Sequence, residues 1–195
     1  FPVDSTMLKR VGTCSSVCST LALEQCNITQ LDVDVFAGLI DVRVLNLAGN
    51  RIERLEDGVF GSLSGLSILY LGENMIRELR PGIFEGLSLL AELSMQKNNI
   101  SGLPSDALAP LESLLLLDLA DNQVDSIEDG ALVNQSNLVV LGLSGNRIED
   151  LEMIVSPSLV ALYLDRNRIS RLEATAFEGL PAARHIHLNE NTLSF

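Results

Sequence analysis

The residue types that most often carry metal or catalytic chemistry lie near the two ends of this 195-residue chain. Cys14, Cys18 and Cys26 form a C-x3-C-x7-C pattern near the start, and both histidines, His185 and His187, lie near the end. Zinc in proteins is usually held by four such side chains, and no fourth ligand lies near the cysteines in the sequence. The cysteine spacing therefore predicts no metal site.

The two histidines could form a small site of their own. If they lie on a strand, side chains two apart point to the same side of the sheet, and Asp165 could approach from the preceding strand. Such a group would bind a metal ion or respond to pH near neutrality. The sequence favours the alternative, two exposed polar residues. With no glycine-rich phosphate loop, nucleophile elbow or His-Glu zinc motif, we expect no metal, no cofactor and no enzyme.

The charge balance limits the partners that this chain can bind. Acidic residues outnumber basic ones by 26 to 13, so the net charge is −13. Nucleic acids and anionic membranes attract basic surfaces, so we expect no nucleic-acid partner. No apolar run approaches the ~18 residues that a spanning helix needs, and we expect no direct membrane insertion. The acidic clusters favour a solvated face over a calcium site; they are Glu53, Glu56, Asp57, Asp125, Glu128, Asp129, Glu149, Asp150 and Glu152.

The elements that position these residues are copies of an eleven-residue unit, which is clearest at residues 42–52 (VRVLNLAGNRI). Apolar residues occupy places one, four, six and eleven, and an asparagine occupies place nine. Successive place-nine residues are 24 apart, except for one step of 21 between Asn146 and Asn167. A period this regular is typical of a repeat array. The place-nine residues are Cys26, Asn50, Asn74, Asn98, Asn122, Asn146, Asn167 and Asn191.

Each copy predicts one short strand, because apolar and polar residues alternate around places three to six. We expect strands near residues 20–24, 44–48, 68–72, 92–96, 116–120, 140–144, 161–165 and 185–189, parallel to one another. The apolar side chains should face inward and meet a second row from the outer segment. That row is Phe36, Phe60, Phe84, Leu108, Leu132 and Phe177, and a second outer row of leucines has one exception, Gln135.

The place-nine residues should line the interior as a ladder. A buried amide without partners is costly, and asparagine offers both an acceptor and two donors. We therefore expect each ladder asparagine to bond backbone groups in the turn after its strand. This role is structural.

The unit LxxLxLxxNxI with its 24-residue period resembles extracellular leucine-rich repeat proteins of the typical subfamily, including animal and insect secreted proteins and Toll-like-receptor domains. The short coil, with Pro157 before Ser158 and Leu159, is similar to those of mosquito leucine-rich immune proteins. The resemblance implies a right-handed α/β solenoid, mostly β with an irregular convex side. About eight coils would form a horseshoe with a parallel concave sheet.

The resemblance also suggests a domain division. Residues 1–26 would form an N-terminal flank and a cysteine-containing cap that merges into the first coil, and residues 18–195 would form the array. No C-terminal cap with cysteines would follow the array; we expect a chain cut short, and the alternative is a partner that covers this end. Such caps are stapled by disulfides. Cys14 with Cys18 is the favoured pair, with Cys26 as a free interior thiol, and Cys14 with Cys26 is the alternative. An odd thiol also leaves an intermolecular bridge open.

Three glycosylation signals point to an extracellular setting. They begin at Asn27, Asn99 and Asn134. Asn27 and Asn99 occupy place ten, where other coils carry long polar residues, so both should face outward. With the cysteine cluster, these signals favour a secreted or extracellular protein.

Partner binding is expected on the concave face, since solenoids create an extended surface there. Places three and five point to it, and they include both tyrosines and both histidines. We expect a protein-recognition module of the innate-immune or receptor type that binds a protein ligand; the alternative is a structural or adhesive matrix-type scaffold. Pairing into homodimers or heterodimers stays open. The candidate residues are Val44, Asn46, Ile68, Tyr70, Glu92, Ser94, Leu116, Asp118, Val140, Tyr163, His185 and His187.

Overall fold

The computed structural model describes residues 2–3, 19–150 and 154–194 of the chain. Within these residues the regular structure consists of short strands joined by turns, with no helix. None of the described residues belongs to a helix long and apolar enough to cross a membrane. In chain order the strands are β1 (Pro2–Val3), β2 (Thr20–Ala22), β3 (Gln30–Leu31), β4 (Val44–Asn46), β5 (Ile68–Tyr70), β6 (Glu92–Ser94), β7 (Gly102–Leu103), β8 (Leu116–Asp118), β9 (Ser126–Ile127), β10 (Val140–Gly142), β11 (Ala161–Tyr163) and β12 (His185–His187).

Eight strands form one parallel sheet in the order β2-β4-β5-β6-β8-β10-β11-β12. Each strand contains places three, four and five of one copy, and equal places lie opposite each other in neighbouring strands. Leu45 of β4 is paired with Leu69 of β5, and Leu69 with Leu93 of β6. The predicted parallel solenoid of about eight coils is thus confirmed. We number the coils one to eight by their place-nine residues, from Cys26 to Asn191.

The core lies between this sheet and the outer segments. Place-four leucines such as Leu45 and Leu93 are fully buried. They meet stacked phenylalanine rings: the ring centroids of Phe36 and Phe60 are 6.0 Å apart, and those of Phe60 and Phe84 are 6.5 Å apart. A single coil could not bury its apolar side alone, so stacking of coils creates the core.

The short coil, coil six, keeps the sheet register. Val140 of β10 is paired with Ala161 of β11, although Asn146 and Asn167 are only 21 residues apart. The Oγ of Ser158 donates to the carbonyl of Leu138 at 2.8 Å and ties the start of the next strand to its neighbour. On the outer side, a Cβ on Gly179 would collide with the carbonyl oxygen of Ile154. Removal of three residues therefore tightens the outer side and leaves the sheet pairing intact.

Candidate partner-binding surface

The interior asparagines connect each coil to the one before it. In coil four, the Nδ2 of Asn98 donates to the carbonyls of Leu71 and Met95, both at 2.9 Å. Its Oδ1 accepts the N–H of Ile76 in the preceding coil at 2.9 Å. Asn50, Asn74, Asn122, Asn146, Asn167 and Asn191 make the corresponding bonds.

Cys26 does not lie in this interior column. Its side chain is exposed and its thiol is free, with Sγ 3.3 Å from the carbonyl oxygen of Glu24. The prediction of an interior thiol was wrong for a physical reason. Each ladder amide bonds toward the preceding coil, and β2 is the end strand of the sheet. Asn50 of coil two therefore bonds to coil one, through the N–H groups of Cys26 and Ile28. The predicted disulfide partners Cys14 and Cys18 lie outside the described residues.

The strand register brings the candidate concave residues together in two rows. Place three forms an apolar row in its middle, with Val44, Ile68, Leu116 and Val140 half-buried and with Glu92 among them. Place five is mixed: Tyr163 is exposed, Ser94 is buried, and the half-buried residues are Asn46, Tyr70, Asp118 and His187. His185, which belongs to the place-three row, is exposed. Ser94 lies between Tyr70 and Asp118 in the register, so it offers a partner little surface.

Tyr70 and Glu92 form a polar pair in the middle of the concave face. Tyr70 of β5 and Glu92 of β6 lie on neighbouring strands of the sheet. Burial, followed by the negative charge and hydrogen bond of Glu92, raises the pKa of Tyr70 above its ordinary value. The Tyr70 hydroxyl therefore keeps its proton to a higher pH than a free tyrosine side chain does.

Tyr163 and His187 form a second aromatic pair, at the end of the sheet. Their ring centroids are 4.8 Å apart with an interplanar angle of 34°. Asp165, the acidic residue that could approach the histidines, accepts two hydrogen bonds from Asn189, at 2.9 Å from its N–H and 2.8 Å from its Nδ2. In the described part of the chain, no three His, Cys, Asp or Glu side chains are arranged to hold a metal ion.

Gly142 is the one member of the place-five row that has no side chain. In the sheet it is paired with Asp118 on one side and Tyr163 on the other. A Cβ built on Gly142 would lie 2.7 Å from the Oδ1 of Asp118. The Asp118 carboxylate therefore lies over Gly142, which is itself buried, and the exposed ring of Tyr163 is on the next strand. The sequence pattern placed all three residues on the same face, but it did not indicate that Asp118 covers Gly142.

The sequence reasoning also missed an apolar strip along one flank of the concave face. Place two is polar, small or charged in coils one to four and in coil eight, but it is Leu115, Val139 and Val160 in coils five to seven. Leu115 is 47% exposed and Val139 is 37% exposed. The N–H of Val139 donates to the Leu115 carbonyl at 2.8 Å, and that of Val160 to the Val139 carbonyl at 2.9 Å. We call these three neighbouring residues the flank strip. Comparing place two between copies would have found it.

Charges at the concave face are mostly acidic. No lysine or arginine occupies place three or five, while Glu92 and Asp118 do. At the adjacent place eight, Lys97 pairs with Glu73 at 2.7 Å and Arg166 with Asp121 at 3.0 Å. The hydrogen bond to Glu73, and then its charge, raise the pKa of Lys97. Among the described residues, neither Glu92 nor Asp118 has an ion-pair partner.

The remaining candidate residues lie away from the concave face. Asn27, Asn99 and Asn134 are all exposed. The first of the acidic clusters is partly neutralised, because Arg80 lies within 3.7 Å of Glu56 and 3.4 Å of Asp57. Farther along, other carboxylates border a cavity of about 570 Å³ between the outer segments of coils five and six.

Comparison with known proteins adds to this geometry. The leucine-rich repeat family matches residues 19–76, 41–100, 64–124, 90–148 and 157–195. Comparison with curated proteins gives no significant match. Similar solved structures include the TLR13–ssRNA13 complex, with 27% identity and a TM-score of 0.79 over 88% of this chain and 25% of that chain.

Two further structures are similar. One is the octameric complex of Latrophilin 3, Unc5D and FLRT2, with 25% identity and a TM-score of 0.82 over 88% of this chain and 53% of that chain. The other is the Toll–Spatzle complex of Drosophila, with 26% identity and a TM-score of 0.70 over 86% of this chain and 26% of that chain. The chain therefore spans about a quarter to about half of the length of these solved chains.

Proposed function

The chain belongs to the leucine-rich repeat family, and on that premise we propose that it is an extracellular protein-recognition module that binds a protein ligand through its concave face. The observation that carries this proposal is the arrangement of Tyr70 and Tyr163 on the sheet, with exposed or half-buried apolar side chains beside them. Tyrosines among apolar residues are the side chains on which protein interfaces most often depend. The innate-immune or receptor setting is supported by the likeness to Toll-like-receptor and Toll domains.

The type of partner follows from charge. One similar structure is a complex with single-stranded RNA, so RNA must be weighed. Binding to a phosphate backbone depends on lysine and arginine, and the candidate rows of this chain carry none. A protein ligand therefore fits this surface better than RNA, and a binding role fits it better than catalysis. The exposure of Asn27, Asn99 and Asn134 supports glycosylation and secretion.

A structural or adhesive scaffold is the second candidate. Its support is the net charge of −13, which favours a basic matrix partner, and the likeness to FLRT2 in its complex with Latrophilin 3 and Unc5D. A scaffold held by general charge would bind more strongly at low salt and would respond little to single aromatic substitutions.

The test uses the glycosylated protein to capture a partner from extracellular fluid, followed by affinity measurement with that purified partner. We expect Tyr70→Ala with Tyr163→Ala to weaken binding about tenfold or more, with an unchanged circular dichroism spectrum. The matched control is Val33→Ala with Val133→Ala, which truncates two exposed apolar side chains in the outer segments. Equal affinities of the two double variants would refute the concave assignment.

A further inference from the structure

The residues that lead into each strand form one side of the solenoid, next to the concave face. In coils four to eight this side carries almost no charge. Only Glu112 and Arg184 are charged among its residues, which are 88–91, 112–115, 136–139, 157–160 and 181–184. We name this surface the entry face. It ends at coil three, where the guanidinium of Arg43 lies so close to Gly65 that a Cβ there would collide with it.

The side that follows each strand is different, although the same coils form it. Ion pairs join neighbouring coils there; they are Lys97 with Glu73, Arg166 with Asp121, and Arg168 with Glu149. The repeat therefore accepts charged residues at an exposed side, and the fold does not require the entry face to lack them. Depletion of charge is the compositional mark of the centre of a protein interface. This contrast indicates that the entry face is a contact surface.

The flank strip of Leu115, Val139 and Val160 is the apolar centre of the entry face. The N–H of Arg184 donates to the Val160 carbonyl at 2.9 Å, which continues the same row into coil eight. In coil four, Leu89 adds a further apolar side chain that is 58% exposed. Contiguous exposed apolar side chains are uncommon on a monomer and mark contact sites.

The polar side chains of the entry face bond within the chain. The Nδ2 of Asn137 donates to the carbonyl of Glu112 at 3.1 Å, and the Oγ of Ser158 donates to the carbonyl of Leu138 at 2.8 Å. A polar group that already has a partner costs less to cover than one that loses water without compensation. The entry face can therefore be buried with little loss of hydrogen bonding.

Charge decides what covers this surface. The side chains of Glu112 and Arg184 are exposed, and among the described residues neither has an ion-pair partner. A basic ligand would be attracted to the concave carboxylates of Glu92 and Asp118 and has no reason to prefer a face with one charge of each sign. A second copy of this chain, with its net charge of −13, meets the least repulsion at that face.

The two charges also make the entry face self-complementary. Glu112 belongs to coil five and Arg184 to coil eight, so the apolar strip lies between their coils. In a symmetric dimer the same patch is used by both subunits. A two-fold axis that lies in the face and passes midway between the two residues places Glu112 of each copy opposite Arg184 of the other. Val139 then lies close to the axis, against its own counterpart.

We propose that the entry face is a homodimer interface, in which two copies pack their flank strips together and pair Glu112 with Arg184 across a two-fold axis. The interface is small: five coils span about 20 Å along the array, and such a face buries less than the roughly 800 Å² per partner of a standard interface. The dimer is therefore weak, with a dissociation constant of about 100 μM. The concave rows take no part in it, so the proposal is independent of the proposed concave binding function.

The test is sedimentation velocity over a range of concentrations up to about 1 mM, at about 0.15 M salt, which screens the general repulsion between two acidic copies. The protein is made without glycans, because Asn134 begins a glycosylation signal close to the entry face. We expect a reversible dimer. A protein that stays monomeric over this range would overturn the proposal.

Charge reversal identifies the two-fold contact. Glu112→Arg and Arg184→Glu each place like charges opposite one another and should each weaken the dimer about tenfold or more. Glu112→Arg lowers the net negative charge, so general repulsion alone predicts the opposite result for that variant. The double variant should regain the wild-type affinity, and a mixture of the two single variants should form a heterodimer, since both of its pairs are then of opposite charge.

The apolar centre is tested in the same way. Leu115→Ser with Val139→Ser should weaken the dimer about tenfold or more. The matched control is Val33→Ser with Val133→Ser, which changes two exposed apolar side chains in the outer segments and should leave the dimer unchanged. Circular dichroism checks that every variant keeps the fold.

Other outcomes assign the surface differently. A dimer that ignores the charge reversals, or that only Tyr70→Ala with Tyr163→Ala abolishes, would overturn the proposal. So would a monomeric chain whose affinity for a captured partner falls with Leu115→Ser and Val139→Ser, since the entry face would then belong to the ligand. Failure of the dimer leaves the concave function standing, because that function is tested by partner affinity and not by self-association.

Discussion

Replacing one ladder asparagine tests how the coils are held together, and Asn98 in the middle of the array is the best position. Asn98→Ala removes three hydrogen bonds, each 2.9 Å long. The three backbone partners are affected unequally. The carbonyl of Leu71 also accepts from Asn74 at 3.0 Å, and that of Met95 also accepts from Asn122 at 3.0 Å. Both carbonyls therefore keep a donor.

The N–H of Ile76 is the group that loses most. Its ladder partner is the Oδ1 of Asn98, and a buried donor left unsatisfied costs about 1–3 kcal/mol. Each lost bond to a carbonyl that keeps another donor adds about 0.5–1 kcal/mol. The expected loss in the free energy of unfolding is therefore about 2–5 kcal/mol. Asn98→Asp should cost more, because it replaces the two donors with an oxygen that faces two carbonyl oxygens.

Urea unfolding followed by circular dichroism measures this loss, and amide hydrogen exchange at Ile76 reports the broken bond directly. Asn99→Ala is the control, since Asn99 is exposed beside Asn98 and surface changes usually stay within about 0.5 kcal/mol. Protein made without glycans avoids a confounding effect of the glycosylation signal. A loss as small as that of Asn99→Ala, or unchanged exchange at Ile76, would refute the ladder as a source of stability.

Two further predictions concern groups with incomplete or unusual partners. Gln135 is buried with its Oε1 unpartnered while its Nε2 donates to the Leu108 carbonyl at 2.7 Å; Gln135→Leu should raise the free energy of unfolding by about 1 kcal/mol, and a loss in urea unfolding would contradict this. In a Tyr163→Phe background, Tyr70 is the sole tyrosine, and Glu92→Gln should lower its pKa, read from tyrosinate absorbance. Because folding raises the pKa of Tyr70, its contribution to stability is present below the unfolded value of about 10 and is lost as pH rises through the folded value. An unchanged titration after Glu92→Gln would exclude that carboxylate as a cause.

The repeat made most of the fold predictable from sequence. Equal spacing of Asn50, Asn74, Asn98 and Asn122 fixes which residues must stack, and the alternation at places three to five fixes which side faces the core. These are properties of position in the unit, so one copy predicts the others. The strands nevertheless have three residues each, shorter than predicted, because the ladder asparagine begins a turn soon after place five.

The candidate site was less predictable because it depends on neighbours in other coils. Periodicity placed Cys26 in the ladder, but it could not show that a ladder amide needs a preceding coil in the sheet. It allowed Asp165 to approach the histidines, but it could not show that Asp165 accepts two hydrogen bonds from Asn189. It identified Gly142 as a concave residue, but it could not show that the Asp118 carboxylate of the neighbouring strand lies over this glycine.

The short coil explains why the concave surface and the outer surface can vary independently. Asn167 keeps the ladder bonds across coil six: it donates to the carbonyls of Leu143 and Leu164 at 2.9 and 3.1 Å and accepts from the N–H of Ile148 at 3.1 Å. Because the ladder and the strand pairing set the position of each concave residue, a change of outer length nearby need not move Gly142 or its neighbours in the sheet. Places that the ladder and core require carry little information about a ligand. Information about a ligand comes from places where the repeat unit tolerates any residue. Place two is such a place, and coils five to seven all have an apolar residue there, which forms the flank strip.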